Sequence, residues 1–116
     1  MDSSEIVLRV VRQGDVVEAI TWRADEAPVP GEQPAKAFVL ALWDAAQKSA
    51  LRIDLWTKDM TVDDMNDFVF QTLMTLADTY ANATTFKPLA GDIKVFAQEF
   101  AEKAARATRR SLGEAG

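Results

Sequence analysis

Carboxylates are the groups in this sequence with the clearest potential for metal chemistry, and they gather near one predicted helix start. Four aspartates lie there (Asp59, Asp63, Asp64 and Asp67). Several oxygen ligands at close spacing are what a hard cation such as Ca²⁺ requires. The spacing lacks the alternating ligands, the glycine and the closing glutamate of an EF-hand loop. Helix capping explains Asp63 and Asp64 fully, because acidic side chains are favoured in the first helical turn. We therefore predict capping and no metal site.

A second charged set alternates in sign beside Trp56 (Arg52, Asp54, Lys58 and Asp59). As a catalytic group it would need a carboxylate or lysine with a shifted pKa in a cleft. As a structural group it would form cross-strand and turn ion pairs on an exposed sheet face. We predict the structural role.

The residue types that are absent exclude most other chemistry. The chain has no cysteine and no histidine. It therefore has no disulfide, no thiolate nucleophile, no zinc–cysteine site and no Ser-His-Asp or Cys-His arrangement. We expect a protein that is not an enzyme and that uses no cofactor.

Size and charge narrow the remaining classes of protein. At 116 residues and 12.8 kDa, with a net charge of −5, the chain has the size of one small acidic domain. We predict a single domain over 1–112 and a disordered tail over 113–116. Nucleic acid is an improbable partner because binding it needs a basic surface. The N-terminus lacks a basic region and an apolar core, which predicts no signal peptide, no membrane insertion and a cytoplasmic location.

Period-two alternation of apolar side chains in the N-terminal half predicts strands that would position these groups. The first hairpin is predicted as two strands and a turn (Glu5–Val11, Val16–Arg23 and Arg12–Asp15). This fold sets Leu8 opposite Ile20 and Ile6 opposite Trp22, with Trp22 in the core. Residues Ala24–Pro34 form a Pro-rich loop whose role the sequence leaves open.

The stretch from Ala35 to Trp56 fits two structures. Pro34 followed by an alanine-rich run could start a helix. A hairpin with a turn over Ala45–Lys48 fits better, because every large aliphatic side chain then faces one side. Its cross-strand pairs are Leu42–Leu51, Leu40–Ile53, Phe38–Leu55, Ala41–Arg52, Val39–Asp54, Ala37–Trp56 and Trp43–Ala50.

Helical spacing of apolar residues replaces the alternation in the C-terminal half. Thr61 is the predicted N-cap of a first helix, and Pro88 starts a second. The predicted fold is therefore α+β, with a four-stranded antiparallel sheet of two hairpins followed by two helices (β-β-β-β-α-α). The helices would cover the aliphatic face of the sheet.

If the helices lie there, Trp43 and Trp56 remain on the opposite face. The predicted interface consists of Val39, Trp43, Arg52, Asp54 and Trp56. Exposed apolar patches of this kind mark interaction surfaces, so we predict self-association or binding of a protein partner. The alanines of the second helix (Ala97, Ala101, Ala104 and Ala105) could serve self-association or packing against the first helix equally well.

Three segments together resemble the family of gliding motility-associated protein GldC. The first is the decapeptide from Leu51 to Met60, with Ala41–Asp44 before it and Gln71–Tyr80 after it. The resemblance extends from Ser4 to Lys103. It implies a small accessory of a bacterial cell-envelope machine, and it implies no catalytic residue or cofactor.

The favoured hypothesis is a non-enzymatic adaptor of a gliding apparatus, acting through protein–protein contacts and forming a homo-oligomer. A second hypothesis is a holdase-like chaperone for envelope clients, suggested by the exposed aromatic surface. A third is a small-ligand-binding domain with a pocket lined by Trp22, Phe68 and Phe96.

Overall fold

The computed structural model describes the backbone of residues 1–115 and the side chains of residues 1–110. The chain forms two compact units, Met1–Met60 and Thr61–Gly116. Strands make up the first unit and two helices the second, which confirms the predicted α+β class with both helices after the strands. The tail predicted over 113–116 lies outside the residues whose side chains are described. Within the described part of the chain, neither helix combines the length and apolar character that crossing a bilayer requires.

The first unit begins with a three-stranded antiparallel sheet in the order β1-β2-β3. Its strands are β1 (Ile6–Gln13), β2 (Val16–Ala24) and β3 (Gln33–Ala35). The hairpin loop between β1 and β2 contains two residues, Gly14 and Asp15. Gly14 has a φ of 62°, a left-handed conformation that glycine adopts without strain. The strand β1 therefore extends two residues further toward the turn than the sequence predicted, whereas β2 begins at Val16 as predicted.

The register of this hairpin differs from the prediction by two residues. Leu8 pairs with Trp22 and not with Ile20, and Ile6 pairs with Ala24 and not with Trp22. The short loop and a bulge directly after Val11 cause the difference, because each changes the count of residues between paired positions. From Ile6 to Val11 the shift of two residues leaves every side chain on its predicted face. Between the bulge and the turn the shift is one residue, so Val17 lies on the same face as Ile20, opposite to the prediction.

The prediction of a single four-stranded sheet was wrong, because the second hairpin forms a separate two-stranded sheet. Its strands are β4 (Ala37–Asp44) and β5 (Ser49–Trp56). The strand β3, which falls largely in the predicted loop, pairs with β2 and occupies the edge that β4 would need. The chain changes partner at Lys36, whose carbonyl oxygen accepts a 2.8 Å bond from the Thr57 amide. The Lys58 amide then donates to the Val17 carbonyl oxygen at 3.1 Å, linking the end of β5 to β2.

The core of the first unit is small. Val17, Ile20 and Thr57 are buried, and Ile20 is 1% exposed. Trp22, predicted as core, is only half-buried, and Ile6 on the same face is exposed. Few large side chains are therefore withdrawn from water in this unit.

The two helices of the second unit begin close to their predicted positions. The helix α1 spans Val62–Ala83 and is capped by Thr61 as predicted. Thr61 Oγ1 accepts a hydrogen bond from the Asp64 amide at 3.0 Å, and the Asp64 carboxylate accepts a hydrogen bond from the Thr61 amide at 3.3 Å. This reciprocal pair is a capping box. The helix α2 spans Lys87–Ala115, starting one residue before the predicted Pro88.

Alanines are buried along this helical hairpin. Ala77 of α1 and Ala90 and Ala97 of α2 are buried, and α1 and α2 pack against each other. Polar contacts between described residues also join the helices: Asn66 Nδ2 donates to Thr108 Oγ1 at 3.1 Å, and Lys94 Nζ lies 2.8 Å from Asp78 Oδ1. Of the two roles open for the alanines of α2, the burial of Ala97 favours packing within the chain.

Candidate interaction surface

The β4–β5 hairpin carries all five residues of the predicted interface, and its pairing agrees with the prediction throughout. Leu42 lies opposite Leu51, Val39 opposite Asp54 and the remaining positions follow in step. Ala35–Trp56 is therefore not helical. Alternation along paired strands then decides which side chains share a face.

The turn of this hairpin is held by one side chain. Asp44 Oδ1 accepts hydrogen bonds from the amides of Ala46 at 3.0 Å and Gln47 at 3.1 Å. Lys48 closes the turn with a φ of 52°, in the left-handed region. An aspartate that bonds to amides two and three residues ahead fixes the direction of a turn. Asp44 thereby stabilises the loop length that the observed register requires.

One face of the hairpin, called the Trp face below, is apolar at both ends and charged in the middle. It consists of Ala37, Val39, Ala41, Trp43, Ala50, Arg52, Asp54 and Trp56. Trp43 is 69% exposed, Trp56 is 55% exposed and Val39 is also exposed. The structure thus brings together the five residues predicted as an interface (Val39, Trp43, Arg52, Asp54 and Trp56). Their role in binding stays a prediction.

The opposite face, called the aliphatic face, is exposed as well. It consists of Phe38, Leu40, Leu42, Leu51, Ile53 and Leu55. Leu42 and Leu51 are each 55% exposed, and Leu40 and Ile53 are exposed too. The sequence pattern placed these side chains on one face correctly but gave no sign of their exposure. Alternation reveals the face of a strand, not what lies against it.

The charged set beside Trp56 forms ion pairs as predicted, but the pair of Arg52 and Asp54 lies along β5 and not across the strands. Arg52 Nε lies 3.0 Å from Asp54 Oδ2 on the Trp face. Lys58 Nζ lies 2.7 Å from Glu18 Oε2 on β2, a partner that the sequence did not suggest. These exposed pairs contribute little stability individually but hold the side chains in place.

The two shifted pKa values in this set both favour the charged form. The hydrogen bond and charge of Glu18 raise the pKa of Lys58. A 2.6 Å hydrogen bond from the buried Thr57 hydroxyl, helped by the charge of Lys36, lowers the pKa of Asp59. A general acid or base needs a pKa close to the working pH. The pKa values of Lys58 and Asp59 are both shifted away from neutrality, which makes these groups less suited to proton transfer.

Three of the four aspartates near the start of α1 have structural roles, and Asp67 lies one turn further into the helix. Asp64 completes the capping box, and Asp63 lies with it in the first helical turn. Asp59 accepts from Thr57. Among the described residues, no group of three or more acidic side chains is placed to hold a metal ion.

Clefts indent the surfaces of both units, and three of them are lined by described residues. One of ≈ 350 Å³ lies between the β1–β2 turn and the end of β5, bordered by Arg12, Val17, Trp56 and Lys58. One of ≈ 420 Å³ lies along β2 and β3, and one of ≈ 320 Å³ lies between α1 and α2. These three are lined by residues other than Trp22, Phe68 and Phe96. The pocket predicted from those three side chains stays a prediction.

Comparison with known proteins gives one match. The family model described as gliding motility-associated protein GldC-like matches residues 17–106, which include nearly all of β2, the strands β3 to β5, all of α1 and most of α2. No curated protein and no solved structure matches the chain.

Proposed function

The chain belongs to the gliding motility-associated protein GldC-like family, and from this premise we propose that it is a non-enzymatic adaptor of a bacterial gliding apparatus. It works in the cytoplasm as an accessory to this cell-envelope machine. It acts by binding protein partners of the machine through the β4–β5 hairpin.

Exposure of large apolar side chains on both faces of one hairpin is the observation that carries this proposal. Trp43 and Trp56 are exposed on one face and Leu42 and Leu51 on the other. Burying a side chain of this size stabilises a complex by roughly 1.5–3 kcal/mol if it is fully covered. A two-stranded sheet is also only marginally stable alone. A bound protein would both cover these side chains and support the hairpin.

The chemistry of the polar residues supports a role in binding over one in catalysis. The chain has neither cysteine nor histidine. Lys58 and Asp59, which border clefts, have pKa values shifted away from neutrality and take part in ion pairs. Such groups suit recognition of a charged surface better than proton transfer.

Genetic complementation in the bacterium that encodes the chain tests the proposal. Deletion of the gene should abolish surface gliding, and the wild-type gene should restore it. The double variant Trp43→Ser, Trp56→Ser should fail to restore it while being present at normal abundance. Val95→Ser is the matched control, because Val95 is an apolar residue of α2 with 54% exposure. Normal gliding in the deletion strain would contradict the proposal.

Affinity capture adds a molecular measurement to the same strains. The tagged wild-type chain and the Val95→Ser variant should retain components of the gliding apparatus, and the double tryptophan variant should lose them. Equal recovery by all three would show that the Trp face does not bind these components.

The aliphatic face favours a second candidate function, a holdase-like chaperone for envelope clients. Leu42, Leu51 and Ile53 offer an apolar surface without charge, which suits unfolded segments of varied sequence. The purified chain should then suppress aggregation of a denatured model client, and Leu42→Ser with Leu51→Ser should weaken this effect. Failure to suppress aggregation at every molar ratio would exclude this function.

A further inference from the structure

We propose that the Trp face binds the Trp face of a second copy of this chain, so that two copies form a symmetric dimer. This inference rests on the proposed function only in taking the Trp face to be a protein-binding surface. It adds the identity of one occupant and the geometry of the contact.

The arrangement of cross-strand pairs on the Trp face is the basis of the proposal. Four pairs follow one another from the turn toward the strand ends: Trp43–Ala50, Ala41–Arg52, Val39–Asp54 and Ala37–Trp56. Successive pairs on one face lie about 7 Å apart along the strands. The midpoint of the face falls between the Arg52 pair and the Asp54 pair. A tryptophan beside an alanine closes the face at each end.

Shape makes this face complementary to itself. In a symmetric dimer the same patch is used on both copies, related by a two-fold axis. Consider a two-fold axis that passes through the midpoint of the face, lies in the plane of the interface and runs perpendicular to the strands. Rotation about this axis places β4 of one copy over β4 of the second copy, with the two strands running in opposite directions. Trp43 then lies over Ala37 of the second copy, and Trp56 lies over its Ala50. Each large side chain meets a small one, as packing between two sheets requires.

Charge makes the face complementary in the same orientation. Arg52 and Asp54 lie on either side of the midpoint, so the rotation places Arg52 over Asp54 of the second copy. The contact occurs twice. Within one chain Arg52 Nε is 3.0 Å from Asp54 Oδ2, and the dimer would extend this pair into a ring of four alternating charges. Packed sheets are rotated by about 30°, and such a rotation displaces these central positions least.

The area available indicates a weak dimer. With 150–250 Å² for a whole aromatic side chain, the exposed parts of Trp43 and Trp56 offer about 200–300 Å² per copy. Val39 and the charged pair add to this, but the total for two copies stays below the roughly 1,200 Å² of a stable standard interface. The complex therefore belongs to the transient class. The aliphatic face offers no charge that would select one occupant.

Charge reversal with purified chains gives a direct test. Arg52→Glu makes both central charges of the face negative, and Asp54→Arg makes both positive. Each variant alone would oppose like charges at the interface, while a mixture of the two would again pair opposite charges at both contacts. Either substitution also breaks the ion pair within its own chain. A purely structural role for that pair would give no recovery on mixing.

Sedimentation equilibrium should follow the mass between roughly 1 μM and 1 mM chain, the range of weak complexes. The wild-type mass should rise from 12.8 kDa toward twice that value. Each single variant should dimerise at least about tenfold more weakly, and their equimolar mixture should regain association. Leu51→Ser, at an equally exposed site on the aliphatic face, should dimerise like the wild type. Tryptophan emission and far-UV circular dichroism confirm that each variant is folded.

Several results would overturn the dimer. These are a wild-type mass of 12.8 kDa throughout, single variants that associate like the wild type, and a mixture that does not associate. A monomer whose capture of other proteins still depends on Trp43 would identify a different protein as the occupant. That result would leave the proposed function intact. Conversely, suppose that the purified chain forms a dimer with the predicted charge dependence while the deletion strain still glides. That pair of results would reject the proposed function and leave the dimer intact.

Discussion

Removing the side chain of Asp44 tests how the interaction surface is built. In Asp44→Ala, the amides of Ala46 and Gln47 lose the acceptor they share at 3.0 and 3.1 Å. Each such bond contributes roughly 0.5–1.5 kcal/mol net, and solvent at this exposed turn can replace part of it. The free energy of unfolding of the first unit should therefore fall by about 1–2 kcal/mol.

Tryptophan fluorescence measures this change selectively. All three tryptophans, Trp22, Trp43 and Trp56, lie in the first unit, whereas the helices that dominate far-UV circular dichroism lie in the second. With a urea dependence of about 1 kcal/mol/M for so small a unit, the midpoint of the fluorescence transition should fall by about 1–2 M.

Two further variants at the same turn test whether the Asp44 side chain stabilises it. Asp44→Asn keeps an oxygen acceptor in the same place, so it should lose less than half as much stability. Lys48→Gly should act in the opposite direction by up to about 1 kcal/mol, because glycine adopts a φ of 52° without the strain of a side chain. Equal loss in Asp44→Ala and Asp44→Asn, or no loss in either, would refute the role assigned to the turn.

Three further predictions concern the helices and the charged set. Thr61→Ala removes the N-cap of α1 and should lower helix stability by about 1 kcal/mol, seen in urea unfolding followed at 222 nm. Ala97→Leu should cost about 1–3 kcal/mol by the same measurement, because Ala97 is fully buried, whereas Leu at the exposed Ala107 should have almost no effect. Thr57→Val should raise the pKa of Asp59 toward its ordinary value in a carboxyl NMR titration. In the wild type the low pKa means that Asp59 contributes stability above its unfolded pKa of 3.8, and that this is lost as the pH falls through the lower folded value.

The register of the second hairpin could be predicted because its sequence leaves only one satisfactory pairing. With a turn over Ala45–Lys48, every large aliphatic side chain of the two strands meets another across the hairpin. The first hairpin lacks this restriction. Moving Leu8 from Ile20 to Trp22 exchanges one apolar neighbour for another on the same face, so the pattern cannot detect a shift of two residues.

The separation into two sheets could not be predicted from the pattern. The strand β3 has only three residues and contains Pro34, which reads as loop because proline cannot donate a backbone hydrogen bond. Its pairing with β2 nevertheless determines where the second sheet begins. Similarly, the partner of Lys58 is Glu18, 40 residues earlier, and no local spacing connects them.

The sequence could predict which side chains share the Trp face, but not how much apolar surface the hairpin exposes. The five interface residues follow from alternation along β4 and β5, and the structure places them on one face. Exposure of the aliphatic face depends on which surfaces the rest of the chain covers. That is a property of tertiary packing, which the period of a strand does not encode.

Photo-crosslinking in living cells tests most directly the claim that this protein acts by contact through the Trp face. The crosslinking amino acid p-benzoylphenylalanine would replace Val39 on the Trp face or, as the control, the similarly exposed Val95 of α2. Position 39 should form adducts with a second copy of the chain and with proteins of the gliding apparatus, and position 95 should form few. Adducts at position 95 but not at position 39, with both variants folded and equally abundant, would contradict the account.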